Sequence, residues 1–421
     1  MIDLSTESAR GSSDSSKAAD VWVRRKDCKI ESTRGLNRSR AEPHRVLEFE
    51  LERDIRRGMR LSRAVVSTCF VATSTAFTLR CGSGSDDVTI SDRDARSRDD
   101  GSFVVDGAIP PVDPDPDSGT NASVPVGSTD AGALPVTCTG KKGTGGDRTI
   151  SVQSGGRSRE AIVHVPASYD STLGTALVLN VHGFINNASE EVVLSRMNKI
   201  ADEKNVIVVY PNGISRSWNA GDCCGTAQTS AVDDVGFMRD LLDELDDTFC
   251  VDPHRVYAAG FSNGGFLAYR LACEMSETFA AIGSVSGVLG LDDSACHPKR
   301  NVPIMHFHGT SDFVVPYKGG TPFLPSGIAG PVSFRSVAST MTFFRAQESC
   351  TSSGSNVFKS GDVSCESYGP CSGGSDITLC TIDGGGHTWP GGFPLVVTGK
   401  TTNDISASRS LVDFFLAHPM P

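Results

Sequence analysis

The sequence predicts an α/β fold built on a doubly wound, mostly parallel sheet. Three observations carry that expectation. Ala176-Leu-Val-Leu-Asn-Val181 and Val206-Ile-Val-Val-Tyr210 are continuous apolar runs, as strands covered on both faces should be. Helical patterns separate such runs along the chain. And Arg255-Val-Tyr-Ala-Ala-Gly-Phe-Ser-Asn-Gly-Gly265 reads as a buried strand, a tight turn and a helix start.

The elements follow in order. Glu160-Ala-Ile-Val-His-Val165 alternates like an antiparallel strand. The run ending at Val181 opens into His182-Gly-Phe184, and a helical stretch is expected around 190–202. After the second apolar run come Pro211-Asn-Gly213 and a long loop holding Trp218, Asp222, Cys223 and Cys224. Val235, Met238, Leu242, Leu245 and Phe249 then recur at spacings of 3 and 4, marking a helix capped by Asp233 or Asp234. Strands are expected at Phe279-Ala-Ala-Ile-Gly-Ser-Val285 and Val302-Pro-Ile-Met-His-Phe307. The remainder predicts a helix over 332–347, short strands near 363–368 and 376–382, and a last helix near 404–417.

Upstream of this module the composition changes. Residues 1–58 are polar, rich in Arg and Ser and without periodicity, which suits a disordered extension or sequence ahead of the true start. Met59-Arg-Leu-Ser-Arg63 and the apolar, small-residue run after it have the make-up of an export signal over 59–81. Cys81-Gly-Ser-Gly-Ser-Asp-Asp87 resembles the start of a lipidated surface protein, although Arg80 stands where a small residue is wanted. Cleavage after Ala76 and a lipid anchor at Cys81 both remain open. Residues 82–136 form an Asp-, Ser-, Gly- and Pro-rich linker; Ile109-Pro-Pro-Val-Asp-Pro-Asp-Pro-Asp117 has too little apolar surface to fold. The folded domain is therefore placed at 137–421, as a single unit and a monomer.

Charge and cysteines narrow the class. A net charge of −11 argues against a nucleic-acid partner, which calls for a basic surface. The 13 cysteines show no paired Cys-x-x-Cys spacing, so disulfides in an oxidising compartment are expected rather than a metal site. The expected pairs are Cys273 with Cys296, Cys365 with Cys380, Cys350 with Cys371, and Cys250 with Cys223 or Cys224.

Gly260-Phe-Ser-Asn-Gly264 is the G-x-S-x-G elbow, in which small neighbours let a serine sit on a strained strand-to-helix turn. The helix that follows aims its N–H groups back at that serine. In this architecture the acid and then the base come later in the chain. Asp312, just past the strand 302–307, is the expected acid, and His387, after the last strand, the expected base. Asp292, Asp293 and Asp383 are weaker acid candidates, while Asp233 and Asp234 suit capping or loop ordering. His306 reads as a core residue, His182 as a loop-ordering ring, and His308 precedes the acid. In this scheme His387 takes the Ser262 proton, and Asp312 fixes the imidazole tautomer. The backbone N–H groups of Asn263 and Phe184 would hold the oxyanion, each donor contributing about 2.7–4 kcal/mol. No metal or organic cofactor is required. Trp218 and Trp389 are candidates for an aromatic substrate wall or, equally, for surface-loop anchors.

From about residue 140 onward the chain resembles the secreted polyhydroxybutyrate depolymerase and feruloyl/acetyl-xylan esterase family. The resemblance rests on Val181-His-Gly-Phe184, Tyr210-Pro-Asn-Gly213, Trp218 with Cys223-Cys-Gly225, and Val232-Asp-Asp-Val-Gly-Phe237. Asp252-Pro-His-Arg-Val-Tyr257, Gly260-Phe-Ser-Asn-Gly-Gly265, His308-Gly-Thr-Ser-Asp312 and Gly385-Gly-His-Thr-Trp-Pro-Gly391 extend it. It implies an α/β-hydrolase fold with Ser262, Asp312 and His387 as the triad of a secreted serine esterase. The implied substrate is a polyester or oligoester of hydroxyalkanoates or, alternatively, an acylated plant polysaccharide bearing feruloyl or acetyl groups. Phe184 stands where many members carry a smaller or polar residue, and no polymer-binding domain is recognisable. An idle hydrolase scaffold that binds glycan is the contrasting expectation, which a complete triad disfavours; a serine peptidase would want a cap or propeller domain.

Overall fold

The structure, a computed structural model of the 421-residue chain, describes residues 28–32, 77–81, 121–125, 136–322, 332–351 and 353–421. It divides into two units, residues 1–108 and 109–421. In the first, β1 (Cys28–Ser32) and β2 (Phe77–Cys81) form an antiparallel ribbon. Otherwise the extension (1–58) and the export signal (59–81) lie outside the described residues, as does most of the linker (82–136). Residues 121–125 are described: Val124 is buried, and the Ser406 N–H donates to the Ala122 carbonyl. Among the described residues no helix is long and apolar enough to cross a membrane.

The second unit is organised on a ten-stranded sheet. Its centre is six parallel strands in the order β12 (Ile377–Ile382), β9 (Ile304–Gly309), β8 (Ala281–Val285), β7 (Val251–Phe261), β5 (Thr175–Val181) and β6 (Val206–Pro211). An antiparallel pair closes each side: β4 (Arg157–Val165) with β3 (Gly146–Ser154), and β11 (Val363–Ser367) with β10 (Ser355–Ser360). Every residue of β5 and β6 is buried, which is why their sequences run apolar without alternation.

Two cores sandwich the sheet. Leu177, Leu179 and Val181 face α4 (Asp234–Thr248), α5 (Asn263–Glu274) and α6 (Val337–Gln347). Ala176 and Val178, one residue out of phase, face α1 (Ala188–Ser195), α2 (Met197–Lys204) and α7 (Ala407–Ala417). A five-residue helix, α3 (Gly225–Thr229), lies in the Trp218 loop. The helix expected over 190–202 is two helices, because Arg196 adopts a left-handed conformation (φ 53°) and breaks the run. The Asp233 side chain caps α4 by accepting from the Gly236 N–H.

Disulfides join Cys273 to Cys296, Cys350 to Cys371 and Cys365 to Cys380, as expected. The expectation for Cys250 is corrected: it bonds Cys138, and Cys223 bonds its neighbour Cys224. The segment around Cys138 lies antiparallel to the turn before β5, its N–H donating to the Thr172 carbonyl, while Thr175 N–H donates to the Cys250 carbonyl. Those two bonds bring Cys138 beside Cys250.

Beside the Cys350 bridge sits Glu348, fully enclosed, accepting from the Val302 N–H and the Ser375 hydroxyl. Burial outweighs these donors and the nearby Arg300 charge and pushes its carboxyl up to about 8. Because the folded-state value lies above the unfolded one, its stabilising share is complete below about pH 4.5. It is then lost as pH rises through 8, at about 1.4 kcal/mol per unit of displacement. Glu348→Gln is expected to flatten this decline, so the variant gains on the wild type between pH 5 and 9 in urea unfolding with disulfides intact. Parallel stability curves for the two proteins would contradict that account.

Candidate active site

The parallel strands end on one side of the sheet, and the loops leaving β5, β7, β9 and β12 converge there. Ser262 stands between β7 and α5 with φ 53° and ψ −119°, a strained conformation held by hydrogen bonds on both sides. Its N–H donates to the Val285 carbonyl, and its own carbonyl accepts from Phe266. The flanking glycines are obligatory. A Cβ on Gly260 would sit 2.4 Å from the Gly264 backbone, and one on Gly264 would lie 2.0 Å from the Val181 carbonyl.

Asp312 and His387 meet, Nδ1 of the imidazole lying 2.7 Å from Oδ2 of the carboxylate. The other carboxylate oxygen, Oδ1, accepts from the N–H groups of Val314 and Val315. Burial alone would raise the Asp312 pKa. The His387 charge and the hydrogen bonds from His308 and His387 outweigh it and hold the carboxyl well below the usual range. The His387 ring packs 4.8 Å, centroid to centroid, from Phe261, the residue before Ser262. Its backbone N–H is fixed by the Thr398 carbonyl.

The turn after β5 abuts the elbow: a Cβ on Gly183 would stand 3.3 Å from that of Ser262. His182 orders this turn, as its position suggested. Its Nε2 accepts from the Gly213 N–H, so Nδ1 donates to the Gly183 carbonyl, and burial lowers its pKa to about 4. The Phe184 ring covers Gly225 so closely that a Cβ there would lie 2.4 Å from it.

The two tryptophans are corrected. Both are 0% exposed, so neither forms a wall for substrate. Trp218 donates its indole N–H to the His182 carbonyl, and its backbone is gripped twice by the Asn263 side chain. It therefore locks the His182–Phe184 turn to the elbow. Trp389 donates to Ser408 on α7, whose hydroxyl donates in turn to the Ser195 carbonyl on α1. That anchors the His387 loop. Both indoles have a polar N–H that must find a partner when buried, a reading as open to the sequence as the wall.

The other candidate acids lie elsewhere. Asp293 pairs with Arg335 at the surface, and Asp383 accepts from Thr310. Asp234 orders the Trp218 loop through the Asn219 N–H and forms a buried ion pair with Arg159 at 2.8 Å. The Arg159 guanidinium, 3.8 Å above the Phe237 ring centroid, also donates to the Asn212 carbonyl. Sequence reasoning missed Arg159, which stands between Arg157 and Glu160 in the charged first half of β4. It also missed Tyr269, which hydrogen-bonds His306 behind the site.

A serine elbow, an abutting turn and an Asp–His pair at the carboxyl ends of a doubly wound sheet define an α/β-hydrolase. Residues 165–315 match the protein family described as Esterase PHB depolymerase. The chain is 34% identical over 236 residues to "Feruloyl esterase B" of Piromyces equi, covering 54% of this chain and 42% of that protein. It is 32% identical over 280 residues to "Putative esterase NocK" of Nocardia uniformis subsp. tsuyamanensis, covering 62% of this chain and 80% of that one. The chain thus spans less than half the length of the feruloyl esterase. Among solved structures, "Acetyl xylan esterase from Aspergillus awamori" aligns at 13% identity with a TM-score of 0.43, covering 57% of this chain and 94% of that one. The chain belongs to the Esterase PHB depolymerase family of carboxylic ester hydrolases.

Proposed function

We propose that the chain is a serine ester hydrolase in which Ser262 is the nucleophile, His387 the general base and Asp312 its orienting acid. The observation that carries this reading is the 2.7 Å Asp312–His387 hydrogen bond, formed between two buried side chains beside an elbow serine. The Asp312 oxygen acting on Nδ1–H leaves Nε2 as the lone-pair nitrogen, which takes the Ser262 proton as Oγ attacks an ester carbonyl. The N–H groups of Asn263 and Phe184 receive the developing oxyanion, helped by the N-terminus of α5. His387 then returns the proton to the leaving alcohol, and water repeats the cycle on the acyl-enzyme.

For substrate, the first reading is a hydroxyalkanoate ester. Large apolar side chains are exposed on the loops that carry the site: Ile185 after the oxyanion turn, Phe313 after Asp312, and Phe393, Val396 and Val397 after His387. Such a rim suits an aliphatic polyester or oligoester better than a bare sugar. The second reading, a feruloyl or acetyl group on plant polysaccharide, is favoured by the names of the relatives. The disulfides suit work in an oxidising, extracytoplasmic compartment.

The experiment compares kcat/KM for hydroxybutyrate oligomers, methyl ferulate and acetylated xylan, with fluorophosphonate labelling of the same sample. We expect Ser262 to be labelled and the oligomers to be turned over fastest. Preference for methyl ferulate or acetylxylan would establish the second reading, and a folded protein that is neither labelled nor active would defeat both.

A further inference from the structure

Behind Asp312 lies a second row of ionisable side chains that the proposed reaction does not use. The Tyr269 hydroxyl is 2.7 Å from His306 Nδ1, His306 Nε2 is 3.0 Å from His308 Nδ1, and His308 Nε2 faces both the Val315 carbonyl (2.8 Å) and Asp312 Oδ2 (3.4 Å). Tyr269 is on α5, two turns after Ser262; both histidines are on β9, two apart, so their rings share a face and stack at 5.2 Å. All three side chains are buried.

The chemistry of the ends fixes the direction of the whole row. A carbonyl and a carboxylate only accept, so His308 Nε2 carries a hydrogen. In the neutral ring Nδ1 is then a lone pair, which requires His306 to donate from Nε2. His306 Nδ1 is in turn a lone pair, and the Tyr269 O–H must donate to it. A second proton on His308 would put two N–H groups face to face. It could be accommodated only by reversing His306 and turning the Tyr269 hydroxyl away from its acceptor, in a site lined by the Phe344 ring. The other titratable groups around His308 are Asp312 and Tyr317, whose ring packs edge-on at 5.7 Å, with His387 beyond the carboxylate.

We propose that Tyr269 and His306 are positioning residues that hold His308 as the neutral Nε2–H tautomer, its N–H donating to the Val315 carbonyl and lying 3.4 Å from the same Asp312 oxygen that orients His387. The inference rests on the esterase reading for its kinetic consequence, but not for the tautomers themselves. A neutral ring beside Oδ2, rather than a second positive charge, leaves the carboxylate its full attraction for the His387 imidazolium. It thereby tunes how strongly Asp312 favours the His387 imidazolium.

Two measurements test it on the full chain with disulfides intact. Nitrogen-15 NMR of the histidine rings between pH 6 and 8 should find His306 and His308 each protonated at Nε2 alone. A hydrogen on His308 Nδ1 overturns the proposal, whether or not the protein hydrolyses esters. In kinetics, Tyr269→Phe removes the donor that holds His306 Nδ1 as a lone pair, so His306 can reverse and accept from a second proton on His308, and the positive charge beside Asp312 then disfavours the His387 imidazolium. We expect kcat per labelled site to fall about 3- to 10-fold, the worth of one hydrogen bond, with KM held within about two-fold. The acid limb of the kcat/KM profile should move to lower pH. A role confined to packing would lower the labelled fraction and leave kcat per site and the profile unchanged, and that result would refute the positioning role.

Discussion

Ser262→Ala should lower kcat for a short acyl ester by about 10⁴- to 10⁶-fold while leaving the fold untouched. The reason is the interdependence of the site. Without Oγ there is no acyl-enzyme, and His387 can at best activate a water that the elbow was not shaped to hold. The residue beneath is unaffected, because alanine retains the Cβ that Gly183 abuts and meets the same positive φ as serine. Stability should therefore change by less than about 0.5 kcal/mol. Residual hydrolysis by the oxyanion donors alone would survive, with KM little altered. A variant retaining a tenth of wild-type turnover would remove Ser262 from the reaction.

Asp312→Asn is expected to cost about 10⁴-fold in kcat at neutral pH, although it replaces one oxygen by a nearly isosteric NH₂. The geometry dictates which oxygen is lost in effect. The N–H groups of Val314 and Val315 both donate to Oδ1, so the amide oxygen must stay there. The NH₂ is then forced toward His387 Nδ1 and His308 Nε2. His387 answers by moving its own hydrogen to Nε2, where it faces Ser262 and has no lone pair to accept the nucleophile's proton. Steady-state kinetics with the unfolding midpoint measured in parallel check this. A loss of less than ten-fold would mean that another group orients the imidazole.

Much of this arrangement was readable in the amino acids, for physical reasons that differ by element. β5 and β6 announce themselves because burial on both faces leaves no polar position. The elbow does so because only glycine tolerates the contacts at 260 and 264. β3 and β10 were not foreseen: at the sheet margins few of their residues are apolar, and the alternation in β3 is carried by Ile150 and Val152 alone. The break at Arg196 was equally hidden, since a left-handed arginine leaves no local signature. Asp312 and His387 followed from chain order. The Tyr269–His306–His308 row could have been suspected from the alternation of two histidines on one strand face, four residues before the acid. Its meaning needed Tyr269, whose placement depends on how α5 packs across β9. Trp218 and Trp389 were misjudged because an aromatic beside a reactive group looks the same in sequence whether it faces inward or outward. Cys250 was misassigned because its partner, Cys138, lies 112 residues earlier and arrives there by a backbone pairing.

The double grip of Asn263 on the Trp218 backbone bears on how the activity of such a protein can be altered. The Ser262 elbow, the His182–Phe184 turn and the Cys223–Cys224 loop share one fastening, so none can be exchanged alone without loosening the others. Grafting a relative's loop to change acyl preference would have to move all three together. The exposed side chains at 185, 313, 393, 396 and 397 belong to no such joint. A library confined to those five positions would explore new substrates while leaving the machinery that breaks the ester bond in its original hands.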